Sequence, residues 1–317
     1  MLQTVLFLLL GLGVLLAAGE AFVRGAASLA RILNIPVLII GLTVVAFGTS
    51  APELWVTIQA VSEGSSGIAM GNIVGSNIAN VLLVLGMPAV LAPVVMSVPG
   101  LRRHGIALLL ATALFCAMVY RSGGVGTFEG AVFALGMLIY FGMMIYEARS
   151  GQDDLAAEAA GLTGEKPRLP PTLLLLIAGV IGLPVGATLL VDNGSALAEA
   201  LGVRDEVIGL TVVAFGTSLP ELATVLVAAA KRQAEVVAGS IVGSNIFNML
   251  FVGSAAGLVG ESLFTSTALA IDLPVMIGAT LLFAGFILAR RNISRWLGAL
   301  MAIGYGAYVM TIGTAGL

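Results

Sequence analysis

The stretch "GLTVVAFGTSAPEL" occupies residues 41–54, and "GLTVVAFGTSLPEL" occupies residues 209–222. The two stretches are identical at thirteen of fourteen positions and lie 168 residues apart. Each places one carboxylate, Glu53 or Glu221, in a segment that is otherwise apolar enough to lie in a lipid bilayer. Because acidic residues are costly in a membrane, a duplicated one indicates an internal repeat with a function.

The composition places the whole chain in a membrane. Of 317 residues, 59% are hydrophobic and only 10% are charged, and the mean hydropathy is +1.10. Soluble proteins are about 25% charged, and the alternating pattern of an outer-membrane barrel is absent. We therefore predict an all-α polytopic membrane protein. The single cysteine, Cys116, excludes an intrachain disulfide, and the single histidine, His104, is expected as an interfacial residue at a span end.

Apolar runs between polar segments predict ten transmembrane helices. They lie at about 4–32, 36–61, 67–91, 104–120, 127–147, 171–201, 206–230, 235–259, 267–289 and 295–314. The polar stretch 148–170 is predicted as a connector between a first five-helix repeat, 1–147, and a second, 171–317. No Lys or Arg precedes Arg24, unlike a cleaved signal peptide, so we expect the first span to be retained.

The basic residues predict the orientation. With the N-terminus outside, eleven Lys and Arg residues fall on the cytoplasmic side and two fall outside, a strong positive-inside bias. Both termini are therefore predicted to be non-cytoplasmic. Since five spans is an odd number, the second half crosses the membrane in the opposite direction, which makes the two halves inverted repeats.

A second repeated stretch supports this organisation. "GNIVGSNIANVLL" at 71–83 and "GSIVGSNIFNMLF" at 239–251 share nine of thirteen positions at the same spacing of 168 residues. Spans 2 and 3 therefore correspond to spans 7 and 8. Elsewhere the matching positions differ in chemistry. Glu20 of the first half, expected as a rim or packing residue, matches Thr188, while Arg24 matches Asp192, and both of these are expected to reach opposite membrane surfaces.

The first stretch offers oxygen ligands for a hard cation. Pro52 has no N–H, so the carbonyl of Gly48 loses its helical partner and the helix is expected to break there. Ala46, Thr49 and Glu53 are spaced three and four apart and share one helical face. Carbonyl, hydroxyl and carboxylate oxygens suit Na⁺ and Ca²⁺, and no imidazole or thiolate is present for zinc or copper.

The second stretch offers a complementary face. Ser76 and Asn80 are spaced four apart, as are Ser244 and Asn248. A pseudo-twofold axis in the membrane plane would bring both asparagines and both carboxylates together near the midplane. Two carboxylates carry a charge of −2 and would neutralise either one Ca²⁺ or two Na⁺. Competition for one site that opens to each side in turn is what an antiporter requires.

Paired "GTSxPEL" and "GSNIxN" segments in inverted halves resemble the sodium/calcium exchanger family, within the cation/Ca²⁺ exchanger superfamily, and this chain resembles a compact prokaryotic member. The resemblance implies Na⁺ for Ca²⁺ antiport across the cytoplasmic (inner) membrane by alternating access, with spans 1 and 6 sliding across the other eight. The implied cation ligands are Ala46, Thr49, Ser50, Glu53, Ser76, Asn80, Ala214, Thr217, Ser218, Glu221, Ser244 and Asn248. Some exchangers have Asp at the position of Asn248, so stoichiometry and exchange of H⁺ or involvement of K⁺ stay open.

Other classes of protein fit the residues less well. A cation channel could use the same ligands, but an inverted repeat around one site favours alternating access. The chain lacks the Ser–His arrangement or paired aspartates of an intramembrane enzyme, so we expect no enzymatic activity. The expected partners are Na⁺, Ca²⁺ and the lipid bilayer, with no cofactor, no nucleic acid and no obligatory protein partner.

Overall fold

The computed structural model of the protein describes residues 2–150, 167–201, 216–266 and 268–315. These residues form helices, with two short strands, β1 (Gly124–Val125) and β2 (Ser262–Leu263). The helices are α1 (Leu2–Leu33), α2 (Val37–Thr49), α3 (Ala51–Ser62), α4 (Ser66–Leu91), α5 (Leu101–Ser122), α6 (Thr127–Ser150), α7 (Leu169–Ala200), α8 (Leu219–Ala230), α9 (Ala234–Val259), α10 (Ala268–Leu288) and α11 (Arg295–Ala315).

Among the described residues, eight helices are long and apolar enough to cross a membrane, or nine if the bent pair α2 and α3 forms one span. Nine of the ten predicted spans therefore have a counterpart. The remaining prediction, 206–230, lies partly outside the described residues, and its described part contains the shorter apolar helix α8. The predicted connector, 148–170, is likewise described only at its ends, where α6 ends at Ser150 and α7 begins at Leu169.

The helices differ in how deeply they lie in the bundle. In α9, 94% of the most apolar window is buried inside the protein, compared with 28% in α1 and in α7. The centre of the bundle is therefore formed by the helix that carries the second repeated stretch. Since α1 and α7 are apolar yet mostly unburied, their outer faces are suited to contact lipid.

Helices α1 and α7 form an antiparallel pair along most of their length. A Cβ built on Gly11 would lie 2.9 Å from Cβ of Leu189, and one built on Gly25 would lie 2.9 Å from Cγ of Leu176. Partner numbers thus fall on one helix as they rise on the other. Small residues at the crossing let the two backbones approach closely, as is usual for helices packed within a membrane.

Two backbone pairings between the halves are related by the same 168-residue spacing as the sequence repeats. Val125 pairs with Ser262 in the antiparallel β1–β2 ladder, and Val94 forms an isolated bridge with Ile293. Adding 168 to Val94 gives Ser262, and subtracting it from Ile293 gives Val125. A twofold axis that exchanges the two halves would therefore convert one pairing into the other.

His104 does not lie at the interface as predicted. It is fully buried, with Nδ1 3.2 Å from the hydroxyl of Tyr140 and Nε2 3.1 Å from a carboxylate oxygen of Glu147. The prediction was wrong because it considered only the arginines beside His104 in the sequence. Helix α6 carries both of the partners that enclose the ring.

Candidate cation-binding site

The first repeated stretch contains a broken helix. Between α2 and α3 the axis bends by 44°, and the break falls at Ser50, whose backbone has φ −88° and ψ 7°. Pro52 lies in the first turn of α3, where a missing N–H costs little. The break predicted from this proline is confirmed. The bend removes backbone carbonyls from regular helical bonding in the middle of the protein.

The second repeated stretch has the same local geometry. Ser218 has φ −89° and ψ 1°, and Pro220 lies in the first turn of α8. The described part of this stretch begins at Gly216, so the predicted ligand Ala214 lies outside the described residues. An equal break in both copies agrees with their near-identical sequences.

The two broken helices meet at a hydrogen bond between the copies. The hydroxyl of Ser50 donates to Oε1 of Glu221 over 3.2 Å. The neighbouring hydroxyl of Thr49 lies 3.4 Å from the carbonyl of Ala46, the residue predicted on the same face. Residues 171 positions apart in the sequence thus share one buried polar cluster.

The two carboxylates lie in this cluster. Glu53 and Glu221 are each only 1% exposed, and they are close enough for their charges to repel each other when both are ionised. Among the described residues, Oε2 of each has no hydrogen-bond partner. A buried polar atom without a partner costs about 1–3 kcal/mol, and more when it is charged. Both oxygens are therefore suited to accept a cation.

The second pair of repeated stretches supplies further polar atoms to the same region. Segments Asn80–Val84 of α4 and Asn248–Val252 of α9 are single turns of π-helix, which often occur at functional sites. Each packs across the repeat: the first against α8 and the second against α3. Within the described chain, the hydroxyl of Ser244 and both polar side-chain atoms of Asn248 are buried without a hydrogen-bond partner.

The remaining predicted ligands fall into two groups. Ser76 and Ser218 are buried beside these elements, on α4 and immediately before α8 respectively. Thr217 is only half-buried and lines a cavity of about 220 Å³. The cavity is lined by Pro52, Val56, Pro184, Ala187, Thr188, Val191, Asp192, Gly216, Thr217 and Pro220.

Sequence reasoning missed several polar residues of the region. Asn72 donates from Nδ2 to the backbone carbonyl of Glu53 over 2.9 Å and to the hydroxyl of Thr57 over 2.8 Å. It thereby fixes α3 against α4 next to the carboxylate. Asn77 and Asn245 are also fully buried. Their signal was present in the sequence, because "GSN" occurs in both copies, but a single residue cannot be assigned to a ligand or to a packing role by repetition alone.

Glycines allow the central helices to approach each other. A Cβ built on Gly243 would lie 2.6 Å from the carbonyl oxygen of Leu42 and 2.7 Å from Cβ of Ala46. One built on Gly239 would lie 3.1 Å from Cα of Gly41. Only glycine fits between backbones at these separations. The close approach holds the hydroxyl-bearing end of α2 beside the polar face of α9.

An ion cluster links α1 to the end of α8. Lys231 and Arg24 both contact the same carboxylate oxygen of Glu20. The side chain of Arg24 is 65% exposed, which agrees with the expectation that it reaches a surface. On the matching helix, Asp192 is exposed as well. Because α1 and α7 are antiparallel, these two residues lie toward opposite ends of the pair.

Comparison with known proteins gives relatives over the full length of the chain. The family model of the sodium/calcium exchanger proteins matches residues 3–146 and 171–313. A putative antiporter, CaxA of Alkalimonas amylolytica, is 37% identical over 287 residues, which cover 89% of this chain and 88% of that protein. The sodium/calcium exchanger MaX1 of Methanosarcina acetivorans is 31% identical, and the match covers 97% of each chain.

A solved structure matches the fold over the same extent. The sodium-calcium exchanger NCX_Mj, soaked with Na⁺ and Sr²⁺, superimposes with a TM-score of 0.81 at 32% sequence identity. The superposition covers 100% of this chain and 99% of that chain. Since the family model matches both halves and the relatives cover nearly the whole sequence, the chain belongs to the sodium/calcium exchanger family of membrane antiporters.

Proposed function

We propose that the protein exchanges Na⁺ for Ca²⁺ across the cytoplasmic membrane, by alternating access to one buried site near the membrane midplane. The observation that carries this proposal is the meeting of Glu53 and Glu221, each buried and each with one oxygen lacking a described partner. The hydroxyl of Ser50, bound to Glu221, belongs to the opposite repeat. The site therefore draws its ligands from both halves.

The charge of the site supports coupling between the two ions. Two carboxylates in a buried environment require about two positive charges, because an uncompensated buried charge is very costly. One Ca²⁺ or two Na⁺ meet this requirement, and both ions accept carboxylate, hydroxyl and carbonyl oxygens. Occupancy by one ion would exclude the other. The cation ligands that we propose are the twelve residues named from the sequence, Ala46 to Asn248.

The repeat and its orientation are part of the proposal. We infer ten spans in two inverted halves, 1–147 and 171–317, joined by a cytoplasmic connector at 148–170, with both termini outside. The two backbone pairings related by 168 residues support the symmetry, and the distribution of Lys and Arg supports the orientation. The same positive-inside bias supports a location in the cytoplasmic membrane.

Alternating access requires one part of the protein to move against another. We infer that α1 and α7 move together, because they pack against each other along their length and bury few residues against the rest. The core that carries the carboxylates would stay fixed while this pair uncovers the site on one side and then the other. The ion cluster of Glu20, Arg24 and Lys231 would connect the moving pair to the core on one side only.

Ca²⁺ uptake into proteoliposomes is expected to require an outward Na⁺ gradient. Liposomes loaded with Na⁺ should accumulate radioactive Ca²⁺ when diluted into Na⁺-free buffer, and accumulation should stop when Na⁺ is equal on both sides. The physical reason is that an empty site with two buried charges cannot return across the membrane without a counter-ion. Liposomes without protein control for leakage.

Two outcomes of this assay would overturn the assignment. Uptake that follows a pH gradient and ignores Na⁺ would identify a Ca²⁺/H⁺ antiporter, in which Glu53 and Glu221 carry protons. Downhill Ca²⁺ flux that needs no counter-ion would indicate a channel. Measuring charge movement in the same liposomes gives the stoichiometry, which Asn80 and Asn248 leave open because neither adds a third carboxylate.

A further inference from the structure

The cavity beside the candidate site forms a path between an exposed surface and the carboxylates. It lies between α7 and the first turns of α3 and α8. At one end it reaches Pro52 and Pro220, which immediately precede Glu53 and Glu221 in the sequence. At the other it reaches Thr188 and Asp192 of α7, both of them exposed.

Asp192 is the acidic side chain among the residues that line this cavity. The other described lining residues are apolar or are prolines, a glycine and threonines. A carboxylate at the mouth of a cavity with weakly polar walls gives a local negative potential, because the field is less screened there than at a flat surface. The potential raises the concentration of cations within the cavity and lowers that of anions.

We propose that Asp192 draws cations into the passage that leads to Glu53 and Glu221. It acts as an access residue and lies outside the set of buried ligands. As a step in transport, this role rests on the proposed function. The role is confined to the side of the membrane on which α7 ends, which is the outer side in the proposed orientation.

The matching position on the other side carries the opposite charge. Arg24 occupies the repeat position of Asp192, and Glu20 occupies that of Thr188. Glu20 is bound to Arg24 and to Lys231, so its charge is compensated. The two mouths of the repeat therefore differ in electrostatics although the buried motifs are nearly identical. Cation attraction by a single carboxylate is expected at one face and not at the other.

The attraction can be measured without relying on transport. In a Cys116→Ala background, Thr217→Cys places one thiol on the wall of the cavity, and membrane-impermeant methanethiosulfonates of positive and negative charge are applied. Each reagent should sense the potential with opposite sign. Adding Asp192→Asn should lower the ratio of the cationic rate to the anionic rate by about fourfold at low ionic strength, if the potential changes each rate about twofold.

Transport should show a related dependence on ion charge. For Asp192→Asn, the half-saturating Na⁺ concentration at the outer face should rise about twofold and that of Ca²⁺ about fourfold, because the electrostatic effect on a divalent ion is the square of that on a monovalent ion. The maximal rate and the values at the cytoplasmic face should not change. The effect should diminish at about 1 M salt, where the screening length falls to about 3 Å.

Glu199→Gln is the matched control. It removes the same charge from an exposed position on α7 about 10 Å further along the helix. An unchanged thiol ratio in Asp192→Asn, or an equal change in Glu199→Gln, would contradict the role of Asp192. Equal shifts for Na⁺ and Ca²⁺ would contradict it too. Absence of Ca²⁺ flux in the unmodified protein would contradict the proposed function instead, and the thiol ratio would still decide on Asp192.

Discussion

Glu53→Gln and Glu221→Gln are each expected to reduce Na⁺-dependent Ca²⁺ uptake by about 100-fold or more. Removing one partner of a buried charge pair costs about 3–5 kcal/mol, and each 1.4 kcal/mol corresponds to about a tenfold change in affinity. Either substitution leaves one negative charge for a divalent ion in a site that is otherwise neutral. Glutamine has nearly the shape of glutamate, so the helix bundle should stay folded. Uptake of radioactive Ca²⁺ into proteoliposomes measures the effect.

Glu63→Gln provides the control for this result. Glu63 follows α3 at its exposed end and accepts a hydrogen bond from Gln59 over 2.9 Å. The same chemical change there should leave uptake close to that of the unmodified protein. Gel filtration and the unfolding temperature report whether each variant is folded. Unmodified transport in both site variants, with folding intact, would rule out the pair of carboxylates as the transport site.

The features that the sequence predicted correctly are local or repeated. The break at Ser50 follows from the missing N–H of Pro52, which acts within one turn whatever the rest of the chain does. The meeting of Glu53 with Glu221 is a long-range feature. It was predictable because the stretch occurs twice with an odd number of predicted spans between the copies. Duplication thus supplied distance information that a single copy would lack.

Other features depend on which helix lies opposite, and no local pattern encodes that. Asn72 bonds the backbone of Glu53 nineteen residues away, a contact fixed by how α3 folds back on α4. His104 was expected at the interface from its arginine neighbours but is enclosed by Tyr140 and Glu147 of another helix. The π-helical turns that begin at Asn80 and Asn248 also escaped prediction. Their sequences are ordinary for an α-helix, so the wider turn reflects packing.

The electrostatic difference between the two mouths shows the limit of symmetry as a guide. The buried motifs are nearly identical, and their ligands are expected to act equivalently. At the ends of the α1–α7 pair the repeat has diverged, with Arg24 and Glu20 where the other half has Asp192 and Thr188. Transport chemistry constrains the centre equally in both halves, whereas the two membrane faces meet different solutions. Divergence at the mouths is therefore compatible with a conserved mechanism at the centre.

Gly243→Ala is expected to destabilise the protein by about 2–3 kcal/mol, the usual cost of forcing extra atoms into a packed core. Its new methyl group would lie 2.6 Å from the backbone oxygen of Leu42 and 2.7 Å from Cβ of Ala46. Neither neighbour can rotate away, since one is backbone and the other is attached directly to it. Helix α2 would have to move outward. The unfolding temperature in detergent should fall by several degrees, and the half-saturating Ca²⁺ concentration should rise because Ala46 and Thr49 move with α2.

Gly285→Ala separates this steric effect from the general effect of alanine in a helix. Gly285 lies within α10, and a Cβ built there meets no described atom within 4 Å. Alanine should therefore be neutral or stabilise the helix by about 0.5–1 kcal/mol. If Gly243→Ala were as stable as Gly285→Ala, α2 and α9 could not be packed as closely as described. If its stability fell while Ca²⁺ affinity stayed unchanged, the contact would hold the bundle together without positioning the end of α2 at the cation site.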